Sequence, residues 1–295
     1  MVYSYPKPLA QGDKVAIIAT SGPVDAARLD SGVAVLRALG LRPIVMESCR
    51  LRHGYLAGPD ELRLCDLHAA FASQDVRGIF VARGGYGAAR LLPRLDFSLI
   101  RRNPKVFVGY SDVTALHIAF NQVCGLVTFH GPMPAADFWR EVCPATVDSL
   151  RAAVFKAPSP IALEAYKNPH EKQLTTIVPG RAEGILIGGN LSLIAASLGT
   201  PYEIDTRDKI LFVEEIGEEP YAIDRLFLQL KQAGKLSDAA GILLGDFGSQ
   251  TIQSLEICIK ELIATENKPT LAGLACGHTS PNLTLPLGAY VAFVP

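Results

Sequence analysis

Phe107-Val108-Gly109-Tyr110-Ser111-Asp112-Val113-Thr114 reads as an apolar strand that runs without a linker into a helix. Beyond it, Val113, Leu116, Phe120 and Val123 recur at three- and four-residue spacing, which predicts one buried helical face. A strand feeding straight into a helix is half of a βαβ unit, and the same pattern repeats outward on both sides. Upstream lie the strand KVAIIAT (14–20), the helix DAARLDSGVAVLRALG (25–40), the strand RPIVMES (42–48), the helix GPDELRLCDLHAAFAS (58–73) and the strand VRGIFVARGG (76–85). LVTFHGP (126–132) follows as a fifth strand. The apolar runs are nearly continuous, as expected of parallel strands covered by helices on both faces.

From Val154 to Gly180 the texture changes to FKAPSPIALEAYKNPHEKQLTTIVPG, rich in proline and polar residues and without a helical period. We read it as a crossover between two α/β domains, residues 1–153 and 181–295. The second half offers the strands GRAEGILIGG, KILFVEE and AAGILLGDF and the helices NLSLIAASLG, PYAIDRLFLQLKQAG and LEICIKELIATE, before a glycine- and proline-punctuated end.

Composition narrows the function classes. With 28 basic and 29 acidic residues among 295, the formal net charge is −1, which gives no electrostatic footprint for nucleic acid or an anionic membrane. No run approaches the length of a membrane span, and the N-terminus lacks a basic region leading into an apolar one, so a cytoplasmic location is expected. Cys49, Cys65, Cys124, Cys143, Cys258 and Cys276 stand singly, without the spacing of a zinc site or a disulfide framework. Neither a metal nor a cofactor is expected.

Ser111 admits two readings. A serine at a sharp strand-to-helix turn projects its hydroxyl clear of the sheet, and the N–H of Asp112 then points where an oxyanion develops. Serine is equally a favoured N-cap. The second glycine of a G-x-S-x-G elbow is replaced by Val113, which disfavours an ordinary α/β-hydrolase. Arg83-Gly84-Gly85-Tyr86-Gly87 ends a neighbouring strand, and its glycines would let backbone N–H groups approach a negative atom. Its spacing is not that of a dinucleotide loop. Arg83 and Tyr86 are candidate substrate contacts.

A serine nucleophile needs a base. His117 lies about 9 Å along the following helix and faces away. His53, His68 and His170 fall in a polar loop, a helix and the crossover, where surface roles are expected. His130 in TFHGP and His278 in CGHTSPN both follow apolar runs, and the loop character around Gly277 favours His278. For the orienting acid, Glu214 ends the strand KILFVEE, whereas Glu215, Glu218 and Glu219 read as a solvated acidic turn feeding the next helix.

Taken together, ATSGPV, RGGYGAARLLPRLD, VGYSDVTALH, HGPM, GGNLSLIAASLGTPYEID, ILFVEEIGEEPYAIDRLFLQL, GILLGDF and GHTSPNLTLPLGA resemble the LD-carboxypeptidase family of serine peptidases, in order and over nearly the whole chain. That family comprises muramoyltetrapeptide carboxypeptidases and the related microcin C immunity proteins. The resemblance implies an N-terminal flavodoxin-like or Rossmann-like domain, a C-terminal swivelling α/β domain and a metal-independent homodimer. It places the nucleophile on Ser111, the orienting acid on Glu214, the base on His278 and the oxyanion donors on the backbone of Gly85 and Asp112. The implied reaction releases a terminal D-amino acid, D-Ala, from murein tetrapeptides during peptidoglycan recycling. The crossover lacks the longer insertion of the immunity branch, whose members cleave an amide in a nucleotide-linked substrate. The chain also ends at Pro295, soon after LPLGA, where many relatives continue through another short strand. A non-catalytic two-domain binding protein for a small anionic ligand is the alternative of another class.

Overall fold

The structure, a computed structural model, describes residues 3–156, 166 and 174–295. The first sheet contains β1 (Lys14–Ile18), β2 (Arg42–Val45), β3 (Val76–Val81), β4 (Val106–Gly109) and β5 (Thr128–His130), all parallel, in the order β5-β4-β3-β1-β2. This is the flavodoxin-like order, one of the two that the family resemblance implies, and the parallel pairing is the one expected from the alternating runs. Strands β1, β3, β4 and β5 are buried, while the edge strand β2 is partly exposed, and the covering helices are α1 (Ala26–Ala38), α2 (Asp60–Ala72), α3 (Phe97–Arg102), α4 (Thr114–Ala119), α5 (Pro134–Asp137) and α6 (Pro144–Phe155). Local chemistry sets the helix ends. The Asp25 carboxylate accepts from Arg28 N (2.9 Å) at the start of α1, and Gly40 takes φ +85° just past its end.

The second sheet has β6 (Thr175–Val178), β7 (Ala182–Asn190), β8 (Lys209–Glu214), β9 (Gly241–Leu244) and β10 (Thr270–Ala272), closed on its other edge by β12 (Tyr290–Phe293). Strands β7 to β10 are parallel, and the two edge strands β12 and β6 are antiparallel to them. Helices α7 (Leu191–Ser197), α8 (Pro220–Gln232), α9 (Lys235–Asp238) and α10 (Glu256–Cys258) accompany this sheet. The α/β architecture with two mainly parallel sheets is therefore the one the sequence predicts.

Three details differ from expectation. The crossover read as 154–180 takes in the end of α6 and the whole of β6, an edge strand of the second sheet, while 157–165 and 167–173 lie outside the described residues. Within 181–295, β11 (Leu285–Leu287) leaves the second domain and pairs antiparallel with β5 of the first, so the division by sequence is not a division by sheet. LEICIKELIATE forms one α-turn that widens into a π-helical turn at Ile259–Ile263 and tightens again at Ala264–Glu266.

The helix after Ser111 is also more deeply placed than one apolar face requires. All six residues of α4 are buried: Leu116 lies in the core of the first domain, and Ile118 packs into that of the second. Its Thr114 Oγ1 accepts the Asn190 backbone N–H at 2.9 Å. Replacing Thr114 by valine leaves that buried donor without an acceptor. Urea unfolding of Thr114→Val should show a loss of about 1–3 kcal/mol.

Candidate active site

The carboxyl ends of β1, β3 and β4 meet at one edge of the first sheet, where open α/β sheets bind ligands. Ser111 stands there at φ +64°, a left-handed conformation that a serine adopts only under the constraint of its surroundings. It opens a 3-10 turn (Ser111–Val113) that leads into α4, and no side-chain cap bond forms at that turn. The N-cap reading of Ser111 is thereby set aside.

Gly84 lies directly against it. A Cβ on Gly84 would stand 2.9 Å from both Ser111 Cβ and Ser111 Oγ and 3.5 Å from Asp112 N, so only glycine permits this approach. The Gly84 carbonyl accepts from Gly22 N (3.1 Å). Because N–H and C=O point oppositely across a trans peptide, the Gly85 N–H is turned away from Gly22. The loop is held from below by two charged side chains. Asp112 Oδ2 accepts from Ala88 N at 2.8 Å, and the fully buried Arg63 donates to the carbonyls of Gly87 (3.0 Å) and Thr20 while pairing with Asp60. Burial pushes the Asp112 carboxyl above its ordinary range, against the pull of hydrogen bonds from Ser21 and Ala88.

From the other domain, Glu214 ends β8 with its side chain fully buried, and its Oε2 meets His278 Nδ1 at 2.7 Å. A Cβ on Gly277 would fall 2.5 Å from that same oxygen, so the residue before the histidine is what lets the carboxylate in. Burial raises the Glu214 pKa, and the bond to His278 holds it back. For His278, burial pulls the pKa down, but the hydrogen bond and charge of Glu214, with Asp137 and Glu215 beyond, outweigh it and leave the pKa raised. The imidazole packs edge-on against Tyr110, the residue before Ser111, with ring centroids 4.8 Å apart. Tyr110 thus sets the strand end of Ser111, with the glycine loop against it, next to a carboxylate–imidazole pair from the other domain. A hydroxyl on a strained turn beside such a pair is equipment for acyl transfer.

Sequence comparison bears on the same residues. The LD-carboxypeptidase N-terminal domain matches residues 15–131, and the LD-carboxypeptidase C-terminal domain matches residues 183–293. The chain belongs to the LD-carboxypeptidase family. It is 45% identical over 294 residues to a probable murein peptide carboxypeptidase of Bacillus subtilis, covering 97% of this chain and 90% of that protein. Among solved structures, an MccF-like protein from Bacillus anthracis superposes with a TM-score of 0.88 at 28% identity, covering 99% and 96% of the two chains. A muramoyltetrapeptide carboxypeptidase from Oxalobacter formigenes gives 0.80 at 31% identity, covering 96% and 95%.

In this LD-carboxypeptidase family member the remaining histidines have other employment. His117 is wholly buried, bonded to Gly109 O and Thr128 Oγ1 (2.8 Å each), and burial depresses its pKa to about 4. His130 is buried among Tyr110, His117 and Phe212, with neither ring nitrogen hydrogen-bonded. His68 is half-buried and accepts from Asp96 N, His53 is exposed, and His170 lies outside the described residues. Arg83 is exposed and donates to Pro23 O (3.0 Å), and Tyr86 pairs with Tyr55 at the surface (5.8 Å between centroids).

One expectation fails. Glu215 is buried, accepting from Asn190 Nδ2 (2.9 Å), Ile216 N (2.9 Å) and Ser192 N (2.7 Å), so it caps α7 and does not belong to a solvated turn with Glu218 and Glu219. Its charge is met at the N-terminus of a helix from an earlier part of the chain, by Ser192 N and the Asn190 side chain. Sequence reasoning also missed the supporting roles of Arg63, the Asp112 side chain and Asp137. For Arg63, its place on the apolar side of α2, flanked on the helix face by Leu67 and Ala70 and one turn after Asp60, was the available signal.

Removing the Glu214 charge takes away the group that raises the imidazole pKa. An NMR titration of the histidine ring signals should therefore find His278 titrating at lower pH in Glu214→Gln than in the wild type.

Proposed function

We propose that this chain is a serine LD-carboxypeptidase in which Ser111, His278 and Glu214 act as nucleophile, base and orienting acid. The observation that carries the reading is the 2.7 Å bond between Glu214 Oε2 and His278 Nδ1. With Nδ1–H committed to the carboxylate, Nε2 keeps the lone pair and can take a proton. Ser111 Oγ attacks the carbonyl carbon of the amide preceding the terminal D-residue while His278 accepts the hydroxyl proton. The Gly85 and Asp112 N–H groups receive the oxyanion. Collapse of the tetrahedral adduct breaks the C–N bond, and His278 returns the proton to the departing amine. Water, deprotonated by the same imidazole, then releases the shortened peptide from Ser111.

The substrate we propose is a murein tetrapeptide that loses D-Ala, supported by the names of the relatives in Bacillus and Oxalobacter. Arg83 and Tyr86 border the glycine loop and are proposed contacts for the peptide. The division into a nucleophile-bearing domain (1–153) and a domain bearing Glu214 and His278 (181–295), a homodimeric assembly and a cytoplasmic location complete the reading. Support for the assembly comes from the family resemblance. For the location, no helix among the described residues is long and apolar enough to cross a membrane.

Mass spectrometry of a muropeptide mixture incubated with the protein should show loss of D-Ala from tetrapeptides. Ser111→Ala should lower kcat by several decades with its thermal unfolding unchanged, as removal of a triad nucleophile generally does. Near-normal cleavage by that variant would overturn the assignment. Since His278 must be neutral to accept the proton, kcat/KM of the wild type should fall as pH drops through the raised imidazole pKa.

A further inference from the structure

Asp137 ends the short helix α5 and is half-buried. Three donors converge on its carboxylate. Met133 N reaches Oδ2 at 2.8 Å, and Tyr110 Oη and Asn282 Nδ2 both reach Oδ1 at 3.3 Å. Two of these donors lead directly into the site. Tyr110 immediately precedes Ser111 and carries the ring on which His278 packs. Asn282 Oδ1 accepts from Gly277 N (3.1 Å), the residue before His278, while Asn282 N donates to Thr146 Oγ1 (3.0 Å) on α6. One carboxylate of the first domain therefore grips both the serine's strand end and the histidine's loop.

We infer that Asp137 is a positioning residue that ties the Ser111 turn to the His278 loop and sets a second negative charge facing the imidazole. The inference rests on the reading of Ser111 and His278 as nucleophile and base. The carboxyl is itself tuned: burial lifts its pKa to about 6, with the bonds from Met133, Asn282 and Tyr110 and the charge of His278 opposing that rise. The groups facing His278 are Glu214 and Glu215 from the end of β8, Asp137 from α5, Tyr110 after β4 and His130 on β5. Of the three carboxylates, Glu214 bonds the ring and Glu215 is spent on α7. Asp137 is the one whose other bonds reach the nucleophile's side of the cleft.

The sign follows from the charge. Ionised Asp137 favours the imidazolium, so its removal lowers the His278 pKa and moves the acid limb of kcat/KM toward lower pH. An asparagine keeps the size but sets an amide against one of the three donors, which disturbs the alignment. Steady-state kinetics of Asp137→Asn on murein tetrapeptide should show kcat reduced about 10- to 100-fold at nearly constant KM. The acid limb should move to lower pH.

A wild-type kcat, or a reduced kcat with an unmoved acid limb, would overturn the inference, since a purely structural role alters stability and not the imidazole's titration. Should Asp137→Asn fail to fold, Tyr110→Phe carries the test. It removes one donor, lifts the Asp137 pKa further and should shift the limb in the same direction with a several-fold lower kcat. Wild-type kinetics in Tyr110→Phe would overturn the inference in that case. Ser111→Ala assayed alongside separates the two readings: activity surviving there removes the site assignment itself, whereas an inactive Ser111→Ala beside a wild-type-like Asp137 variant removes only the role of Asp137.

Discussion

The hydrogen bond from Asn190 N to Thr114 Oγ1 is the contact on which the rest of the site depends. Thr114 is three residues beyond Ser111, and Asn190 lies opposite Glu214 in the register of β7 and β8. The bond therefore links the helix after Ser111 to the strand that ends at Glu214 in two short steps. It forms because Gly189 precedes Asn190 at the end of β7. A Cβ on Gly188 would fall 1.8 Å from Phe212 O, and one on Gly189 would fall 2.4 Å from Thr114 Oγ1. With no side chains in the way, α4 sits on the backbone of the second sheet, and the contact is too close to permit much sliding. Helix α4 is accordingly buried on every side, an apolar joint shared by two cores.

Around that joint lie several ionisable side chains cut off from solvent. Arg63, Asp112, Glu214 and Glu215 are all buried. Each is tolerable because its hydrogen bonds go to the backbone or to a partner ion, and a buried charge left alone would cost several kcal/mol. These bonds have a common effect. Arg63 and Asp112 brace the glycine loop, Glu215 and Asn190 fix the start of α7, and Asp137 and Asn282 fix the histidine loop. Strain at Ser111 is thus sustained by a shell that leaves its neighbours little room to relax. Two atoms are exceptions, Arg63 Nε and Glu214 Oε1, both buried without a hydrogen-bond partner among the described residues.

Much of this was legible in the chain itself, and the reasons are local. Continuous β-branched runs between helical periods specify parallel strands, and they predicted β1, β3, β4, β7, β8 and β9 close to where they lie. Ser111 and Glu214 were visible because each ends such a run, where an open sheet presents its functional residues. His278 was harder to see, since a loop histidine carries no periodic signal. Its neighbour Gly277 gave only a hint, and the ordered set of motifs that marks the family separated it from His130. Glu215 was misread because its partners, Ser192 and Asn190, are more than twenty positions away, and a run of acids looks solvated when its partners are out of view.

The sequence by itself determined the two α/β layers, the strand ends that carry Ser111 and Glu214, and the membership in a peptidase family. Each follows from a pattern a few residues long or from motifs held in order. Only the tertiary structure decided that β11 returns to the first sheet, that α4 is buried in both cores, and that Asp137 reaches Tyr110 and Asn282. Those outcomes depend on contacts between segments 27 to 166 residues apart, which hydrophobic periodicity does not encode. The burial of α4 in both cores goes with Gly189, which lets the helix approach the end of β7 to hydrogen-bonding distance.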